Sequence, residues 1–413
     1  LDNLKFLNKR SGSIKRYRRR QKGFSQRPIR PEISNFSSII YSFEPRLKNI
    51  KFNISRSYVT LNLIRDDLLQ FTNIQSEPPH SWSNAISAAF DSAIQLFVPK
   101  DKINPVHLND IFNLSLKQYR DLDIWDSSPG LPWIHYGYKK KKDIRSDINA
   151  INNIRKYAHN IKYGANMKAT DCCGYARSHI SDKNKVRAIW GYPATISFIE
   201  AMFALPYLDW IKQHPSSPMA YGFETLKGGH SYIHSLLNNR STHRDMPYFS
   251  LDYKSFDKTV PTWLIQLAFC IFSKSFNWNK YKDRGSTKSI KLIRLFDHVA
   301  NYFISTPIRL CNGERYQKSS GIASGSYFTQ IIGTICNYLL TQTCINRIAG
   351  KFVHLDIVML GDDSIFKPIN LTSAESVRFF SKPQQTLSRI NEMLQEIGMT
   401  LNVKKSVIST NIT

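Results

Sequence analysis

The sequence predicts an α+β fold in which helices pack against an antiparallel sheet, and two observations lead to this prediction. Of the 413 residues, 42% are hydrophobic and 12% are aromatic, so the chain carries enough apolar surface to bury a sizeable core. In the second half, apolar segments follow one another in the order strand, helix, helix, hairpin and helix. This order is typical of α+β domains, in which strands pair with each other instead of alternating with helices. The length allows two or three domains, or one enzyme with several lobes.

The N-terminal segment is strongly basic. Residues 1–30 contain 11 lysines and arginines and a single acid, Asp2. Two interpretations carry equal weight: a solvated, partly disordered arm, and an arm that contacts RNA. A localisation signal is a third and weaker interpretation.

The whole chain has a formal net charge of +26 at pH 7. A compact protein with this excess repels itself unless a polyanion offsets it, so nucleic acid is the first candidate partner and an anionic membrane surface the second. The longest apolar runs, Phe198–Leu208 and Ile265–Phe272, are shorter than the roughly 18–20 residues that a membrane span needs. The basic N-terminus lacks the apolar region of a secretory signal. The six cysteines lack zinc-site spacing, and we expect free thiols in a reducing compartment.

The first half contains one clear helical pattern. In Ser83–Phe97 apolar residues recur at spacings of three and four, and Pro99 follows the segment. Asp126–Trp133 forms a rigid turn cluster rich in serine and proline. The lysine run within Tyr138–Lys142 is typical of a solvated surface.

Prolines and glycines divide the second half into elements. Pro261 is expected at the first position of a helix, and Gly398 is expected to end the last one. The predicted elements are the strand Pro247–Asp252, the helix Pro261–Phe272, the helix Ser326–Ile345, the strands Phe352–Leu360 and Ser364–Phe366, and the helix Arg389–Ile397.

Two acidic elements suggest chemistry. Gly361 precedes the adjacent acids Asp362 and Asp363 between two apolar strands, and alone this pattern also fits a solvated hairpin turn. Asp252 ends a predicted strand, and if that strand lies beside the hairpin, the three carboxylates form one cluster. Such a cluster suits two Mg²⁺ ions in phosphoryl transfer. Asp257 follows five residues after Asp252 and is also a candidate helix N-cap.

A glycine-rich loop lies between these acids in the sequence. Gly321 and Gly325 make it flexible, and the helix that follows offers backbone amides to a phosphate or a template backbone. Thr329, Gly333 and Asn337 recur every four residues, so one face of that helix is small or polar. A core helix with a polar seam is the alternative interpretation, and it fits Thr334 and Cys336 better than Asn337.

Together these segments resemble motifs A, B and C of viral RNA-dependent RNA polymerases. The motifs are Asp252-x₄-Asp257, Ser324-Gly325-x₃-Thr329-x₇-Asn337 and Gly361-Asp-Asp, the GDD motif, in the family's order. The sequence from Gly321 to Gln330 is most similar to that of the polymerases of partitiviruses, a group of double-stranded RNA viruses. Three further segments resemble motif G (Ser127–Gly130), motif F (Lys185–Pro193) and motif D (Gly398–Ser406).

The resemblance implies a role for each matching residue. Asp252, Asp362 and Asp363 would be catalytic ligands of two Mg²⁺ ions, with Mn²⁺ as an alternative metal. Asp257, Ser324 and Asn337 would sense the ribose 2′-hydroxyl, and Gly325 and Thr329 belong to the same substrate-binding motif. Lys185, Arg187 and Arg177 would hold the triphosphate, and Lys405 would be the general acid, with its neighbour Lys404 as the alternative.

The same resemblance implies a right-hand polymerase with an antiparallel-sheet palm flanked by helices and a mostly helical fingers region. The expected divisions are a basic arm and extension (1–75), fingers (76–246, with motif G near 127–130 and motif F near 183–193), motif A (247–262), a fingers insertion (263–318) and motifs B, C and D (319–413). The thumb is expected to be absent or truncated, because few residues follow Ser406. Leu1 in place of methionine also suggests a fragment.

The predicted function is therefore templated nucleotidyl transfer by an RNA-directed RNA polymerase that transcribes and replicates a viral double-stranded RNA genome. Its implied partners are RNA template and product and ribonucleoside triphosphates, with a viral capsid protein as a further candidate and no membrane span. The implied location is the host cytoplasm, within the viral particle. Two alternatives stay open: a reverse transcriptase, which shares the palm, and a non-catalytic RNA-binding or capsid-type protein in which the acids are loop residues.

Overall fold

The computed structural model describes residues 3–10, 55–72, 75–168, 170–181, 185–214, 217–222, 246–372 and 381–409, with a few isolated positions besides. Its helices are α1 (Leu61–Leu69), α2 (Ser83–Phe97), α3 (Leu108–Phe112), α4 (Lys117–Arg120), α5 (Lys141–Arg145), α6 (Ile148–Lys162), α7 (Ala194–Gln213), α8 (Phe256–Thr259), α9 (Thr262–Ser273), α10 (Ser289–Ile304), α11 (Thr329–Ala349) and α12 (Pro383–Glu396).

The strands form two larger sheets and two short strand pairs. They are β1 (Leu4–Lys9), β2 (Ser55–Arg56), β3 (Cys172–Ser178), β4 (Ile180–Ser181), β5 (Val186–Gly191), β6 (Tyr248–Ser250), β7 (Lys280–Tyr281), β8 (Gly285–Ser286), β9 (Pro307–Arg309), β10 (Glu314–Lys318), β11 (Leu355–Leu360), β12 (Asp363–Pro368) and β13 (Val407–Ser409).

The first sheet has the strand order β11-β12-β6-β13, and all its pairings are antiparallel. Phe366 of β12 lies opposite Phe249 of β6, and their rings stack with centroids 5.0 Å apart. The antiparallel sheet and the position of the motif A strand beside the hairpin are therefore confirmed. This pairing places the end of β6, the end of β11 and the beginning of β12 at one edge of the sheet.

Helix α11 connects this sheet to the rest of the core. It is buried along nearly its whole length, and it packs against α2 and α9. Tyr338 meets the ring of Phe97 edge-on at 5.4 Å, and its hydroxyl lies 2.6 Å from Ser92 Oγ. Since α2 has the predicted bounds, Ser83–Phe97, the helical periodicity there was read correctly.

The second sheet has the order β1-β10-β9-β3-β5. Strand β1 pairs antiparallel with β10, so Leu4–Lys9 is an ordered strand and not part of a disordered arm, although most of its residues are exposed to solvent as predicted. The backbone groups on one side of β1 are paired with β10, which explains how such a polar segment holds a fixed conformation. Residues 11–30 of the predicted arm lie outside the described residues. Between 76 and 246 the described chain is mainly helical. The part that includes the motif F-like residues is an exception, because it forms strands β3 and β5 of this sheet.

Several predicted boundaries differ from the observed ones. Helix α11 begins at Thr329 instead of Ser326, because Ser326 Oγ accepts from Phe328 N at 3.0 Å and closes a turn there. Helix α12 begins at Pro383, before the predicted Arg389, and β11 begins at Leu355. Pro261 is the N-cap of α9 and not its first residue.

Helix α7 is long and apolar enough to cross a membrane by length and composition, although its uninterrupted apolar run is shorter. Within the protein 78% of its apolar window is buried. A buried apolar helix of this kind is what the core of a globular protein contains. Glu200 lies in this helix and is fully buried.

Candidate active site

A cavity of about 680 Å³ opens between the edge of the four-stranded sheet, helix α1 and strand β5. Predicted acids and predicted bases from distant parts of the chain line it together: Asp252, Asp257, Asp362, Lys185, Arg187 and Lys405. Acidic and basic side chains therefore face one solvent-filled space. Such a cavity suits a polyanionic ligand that binds together with cations.

The strand pairing brings two of the acids to the same edge of the sheet. Asp252 follows β6 by two residues, and Asp362 lies in the turn between β11 and β12. Ser250 is opposite Ile365, so the end of β6 and the beginning of β12 meet. Gly361 has φ +63°, a left-handed conformation that the turn requires and that glycine adopts at little cost.

Asp363 is the first residue of β12 and is electrostatically coupled to both other acids. Partial desolvation, and then the charges of Asp362 and Asp252, raise its pKa above its ordinary value. Across the described ranges, however, no three acidic, imidazole or thiol groups are arranged to hold a metal ion. The three carboxylates are thus close enough to sense one another's charges, and their role as metal ligands stays a prediction.

This donor set fits a divalent cation with a preference for oxygen ligands. Carboxylates are the ligands that Mg²⁺ and Mn²⁺ favour, and a cation would relieve the mutual repulsion that raises the pKa of Asp363. Asp252 and Asp362 both line the cavity, so a cation between them would be accessible from it.

Asp252 is held in place by two residues that the sequence analysis missed. Asn402 Nδ2 donates to Asp252 Oδ2 at 2.8 Å, and Asn402 N donates to Asp252 O at 2.7 Å. Asp252 N donates to Ser406 Oγ at 3.0 Å. Both partners lie in the motif D-like segment, Gly398–Ser406, and their membership of that segment was the available signal. They fix the orientation of the carboxylate.

The opposite wall of the cavity is basic. Lys185 and Arg187 are exposed at β5, and Arg177 faces Arg187 across the β3–β5 pairing without lining the cavity. Asp257 is exposed to the cavity, but the surrounding walls partly desolvate its carboxylate and raise its pKa. The positive charges of Lys258 and Arg187 act in the opposite direction and lower this pKa. Because Ser255 is the N-cap of α8, the N-cap interpretation of Asp257 is wrong.

A family model described as viral RNA-dependent RNA polymerase matches residues 40–412, which is most of the chain. The chain belongs to the viral RNA-dependent RNA polymerase family. Polymerases of this family generally use divalent metal ions, in agreement with the oxygen donors of the cavity.

Two curated relatives are RNA-directed RNA polymerases of partitivirus-like viruses, which confirms the predicted resemblance. The one from Cryptosporidium parvum virus 1 (strain KSU-1) is 34% identical over 231 residues, which cover 55% of this chain and 39% of the relative. The one from White clover cryptic virus 1 (isolate Boccardo/2004) is 28% identical over 244 residues, covering 56% and 38% respectively. The matched regions thus span about two fifths of the relatives' own length. These matches favour the polymerase interpretation over the reverse transcriptase and the capsid-type protein.

The motif B residues support the cavity without being among its lining residues. Ser324 Oγ accepts from Trp190 N at 3.3 Å, and Thr329 Oγ1 donates to Ala323 O at 2.8 Å. Gly325 has φ +104° and lies so close to β5 that a Cβ would be 2.2 Å from Trp190 O. The loop therefore packs directly on the backbone of the motif F strand.

Asn337 has a role other than the predicted one in this conformation. Its side chain is fully buried, and Nδ2 donates to Gly361 O at 3.0 Å. Thr334 Oγ1 accepts from Gly361 N at 2.8 Å, so both polar groups of the Gly361 residue are bound by α11. The structure thus places Asn337 behind the GDD turn, which it supports, instead of in the cavity beside Asp257.

Glu200 is a buried acid that the sequence analysis did not single out. It accepts from Ser326 Oγ at 2.6 Å and from Tyr327 N at 3.1 Å, at the end of the motif B loop. Burial raises its pKa to about 7. Lys141, also buried, donates to Ser127 Oγ at 2.9 Å, so the motif G segment is tied to the same region. An isolated acid in an apolar helix was the only sequence signal.

The two candidate lysines of motif D differ in position. Both are exposed, but Lys405 lines the cavity and Lys404 does not. The structure therefore favours Lys405 as the lysine that can reach a bound substrate.

Proposed function

We propose that this chain carries the catalytic centre of an RNA-directed RNA polymerase, which adds ribonucleotides to the 3′ end of an RNA strand on an RNA template. The supporting observation is the single cavity in which Asp252 and Asp362 face Lys185 and Arg187. Acids on one wall and bases on the other match the two needs of nucleotidyl transfer, which are cation binding and triphosphate binding.

Asp252 and Asp362, with Asp363 beside them, would hold two Mg²⁺ ions, or Mn²⁺ in their place, and bound metal would supply charge stabilisation to the attacking and leaving oxygens. Asn402 keeps the Asp252 carboxylate oriented for this purpose. The side chains Lys185 and Arg187 bind the triphosphate and offset the charge that develops as pyrophosphate leaves.

Two further residues have proposed roles in the same cavity. Lys405 donates a proton to the leaving pyrophosphate, since it is the motif D lysine that lines the cavity. Asp257 accepts a hydrogen bond from the ribose 2′-hydroxyl, because it lines the cavity and senses the charges of both Arg187 and Asp362. Motif B, through Ser324 and Gly325, supports the basic wall from behind.

The biological setting that we propose follows the names of the relatives. The chain would act, alone or within a longer protein, in transcription and replication of a viral double-stranded RNA genome. It would work in the host cytoplasm inside the particle, with RNA and ribonucleoside triphosphates as ligands and capsid protein as a neighbour. The palm and fingers divisions and the basic arm as an RNA contact remain predictions.

Primer extension with purified chain, an RNA template, ribonucleotides and Mg²⁺ tests the proposal. Asp362→Asn should lower RNA synthesis by at least about 100-fold, because it removes a charged group that stabilises the transition state. Asp91→Asn, a matched change at an exposed acid of α2, should leave it unchanged. Full RNA synthesis by the Asp362→Asn variant would refute the assignment of this site. Equal use of deoxynucleotides and ribonucleotides would favour the reverse transcriptase instead.

A further inference from the structure

Asp67 is a buried acid in α1, a segment in which the sequence shows no polymerase motif. Its side chain and that of Lys258 are each only 8% exposed, and the two form an ion pair. Lys258 directly follows Asp257 in α8. A buried charge is tolerated when it is paired and hydrogen-bonded, so each member of this pair depends on the other.

The carboxylate of Asp67 contacts two different parts of the cavity wall. Oδ1 accepts from Lys258 Nζ, and Oδ2 accepts from Ala188 N at 2.7 Å. Ala188 follows Arg187 in β5. One side chain thus joins the segment that carries Asp257 to the strand that carries Arg187.

Alternation along β5 makes this contact relevant to Arg187. Ala188 is buried, whereas its neighbour Arg187 is exposed and lines the cavity. Holding the amide of Ala188 therefore fixes the position from which Arg187 projects.

Helix α1 is itself anchored, so Asp67 is a rigid support. Ile64 and Leu68 are buried, and α1 packs against β5. Arg65 Nε donates to Glu314 Oε2 at 2.9 Å, which ties α1 to β10 at the far side of the second sheet. Lys258 also donates to Gln70 Oε1 at 3.3 Å, just after the end of α1.

We propose that Asp67 is a positioning residue that sets the separation between Asp257 and Arg187, and thereby the affinity for a ribonucleoside triphosphate and the preference for ribose. This inference rests on the proposed function of the cavity. Asp67 and Lys258 both line the cavity. Since one carboxylate oxygen of Asp67 is engaged by Lys258 and the other by Ala188 N, Asp67 acts through these two partners.

Two double variants separate this role from a purely structural one. Asp67→Asn with Lys258→Met removes both buried charges but keeps an oxygen that can accept from Ala188 N. Asp67→Leu with Lys258→Met removes the charges and the acceptor. Neither leaves an unpaired buried charge, which is the main cause of unfolding when one member of such a pair is lost.

The expected result is a split between KM and kcat. The variant with leucine should show a KM for ribonucleotides about 10-fold higher than the variant with asparagine, as expected for one lost hydrogen bond, with kcat within about 3-fold. Its discrimination against deoxynucleotides should fall below that of the wild type. Asp91→Asn serves as the control.

Equal KM values and equal discrimination in the two double variants would overturn the inference while the proposed function stands. If the wild-type chain makes no RNA with Mg²⁺ present, the proposed function fails. In that case equilibrium binding of GTP, measured by fluorescence on the same three proteins, still tests Asp67. An unchanged dissociation constant in the leucine variant would then refute its positioning role.

Discussion

Replacing Gly325 by alanine should destabilise the protein strongly, because the motif B loop passes directly against β5. Gly325 has φ +104°, and a Cβ would lie 2.2 Å from Trp190 O, which is a backbone atom and cannot rotate away. The conformation alone costs a residue with a Cβ roughly 1–3 kcal/mol. Moving the loop away would also break the bond from Trp190 N to Ser324 Oγ, at about 1 kcal/mol. The expected loss in the free energy of unfolding is therefore about 2–4 kcal/mol.

Gly333→Ala in α11 is the matched control. The nearest atoms to its added Cβ would be Gly361 Cα at 3.6 Å and Ile322 Cδ1 at 3.7 Å, which are ordinary contact distances. Alanine is the better helix former, so this variant should gain up to about 1 kcal/mol. Denaturant unfolding of both variants measures the two changes, and primer extension should show a large loss of activity for Gly325→Ala alone.

The reasoning is refuted if Gly325→Ala unfolds at the same denaturant concentration as the wild type. It is also refuted if Gly333→Ala is the more destabilised of the two, because that order would contradict the contact distances at both positions.

Three further changes test other parts of the structure. Burial raises the pKa of Glu200 to about 7, so stability should fall as the pH rises from about 4.5 to 7. Glu200→Gln should remove that loss, which is about 2 kcal/mol between pH 5 and pH 7.5, as measured by unfolding at these two pH values. Asp171→Asn should cost about 3–5 kcal/mol in denaturant unfolding, because it leaves Arg315 buried without its bidentate partner. Asn402→Ala should lower kcat about 10- to 100-fold in primer extension and weaken the affinity for Mg²⁺, because Asp252 loses its amide donor. The free energy of unfolding should change little.

Each of these has a clear contrary result. A pH profile of stability that is unchanged by Glu200→Gln would mean that the buried acid does not titrate in this range. A stable Asp171→Asn variant would show that Arg315 finds another partner, and normal activity of Asn402→Ala would show that Asp252 needs no external orientation.

Local patterns in the sequence were sufficient to predict one core helix and the strands that adjoin the acids. Helix Ser83–Phe97 follows from its apolar spacing alone. The pairing of β6 with β12 could be anticipated because both segments are apolar and adjoin acids, Asp252 after β6 and Asp362 before β12. Asp252 and Asp362 were singled out from the residues, and Lys405 from the resemblance to motif D; all three line the cavity.

Contacts between distant segments could not be predicted in this way. The link between Asp67 and Lys258 joins residues 191 positions apart, and neither has a local signature. Asn337 was assigned to the substrate because its spacing fits a motif, but spacing does not tell which side of a buried helix faces a cavity. Its hydrogen bond to Gly361 O depends on how α11 packs under the hairpin.

The position of β1 has a consequence for the synthesis of the chain. Leu4–Lys9 emerges from the ribosome before its partner Glu314–Lys318, which follows about 300 residues later. At roughly 5–20 residues per second the first strand waits on the order of 15–60 s before it can pair. During that interval its basic segment is free to meet RNA or a chaperone. The second sheet can therefore be completed only after translation has passed residue 318.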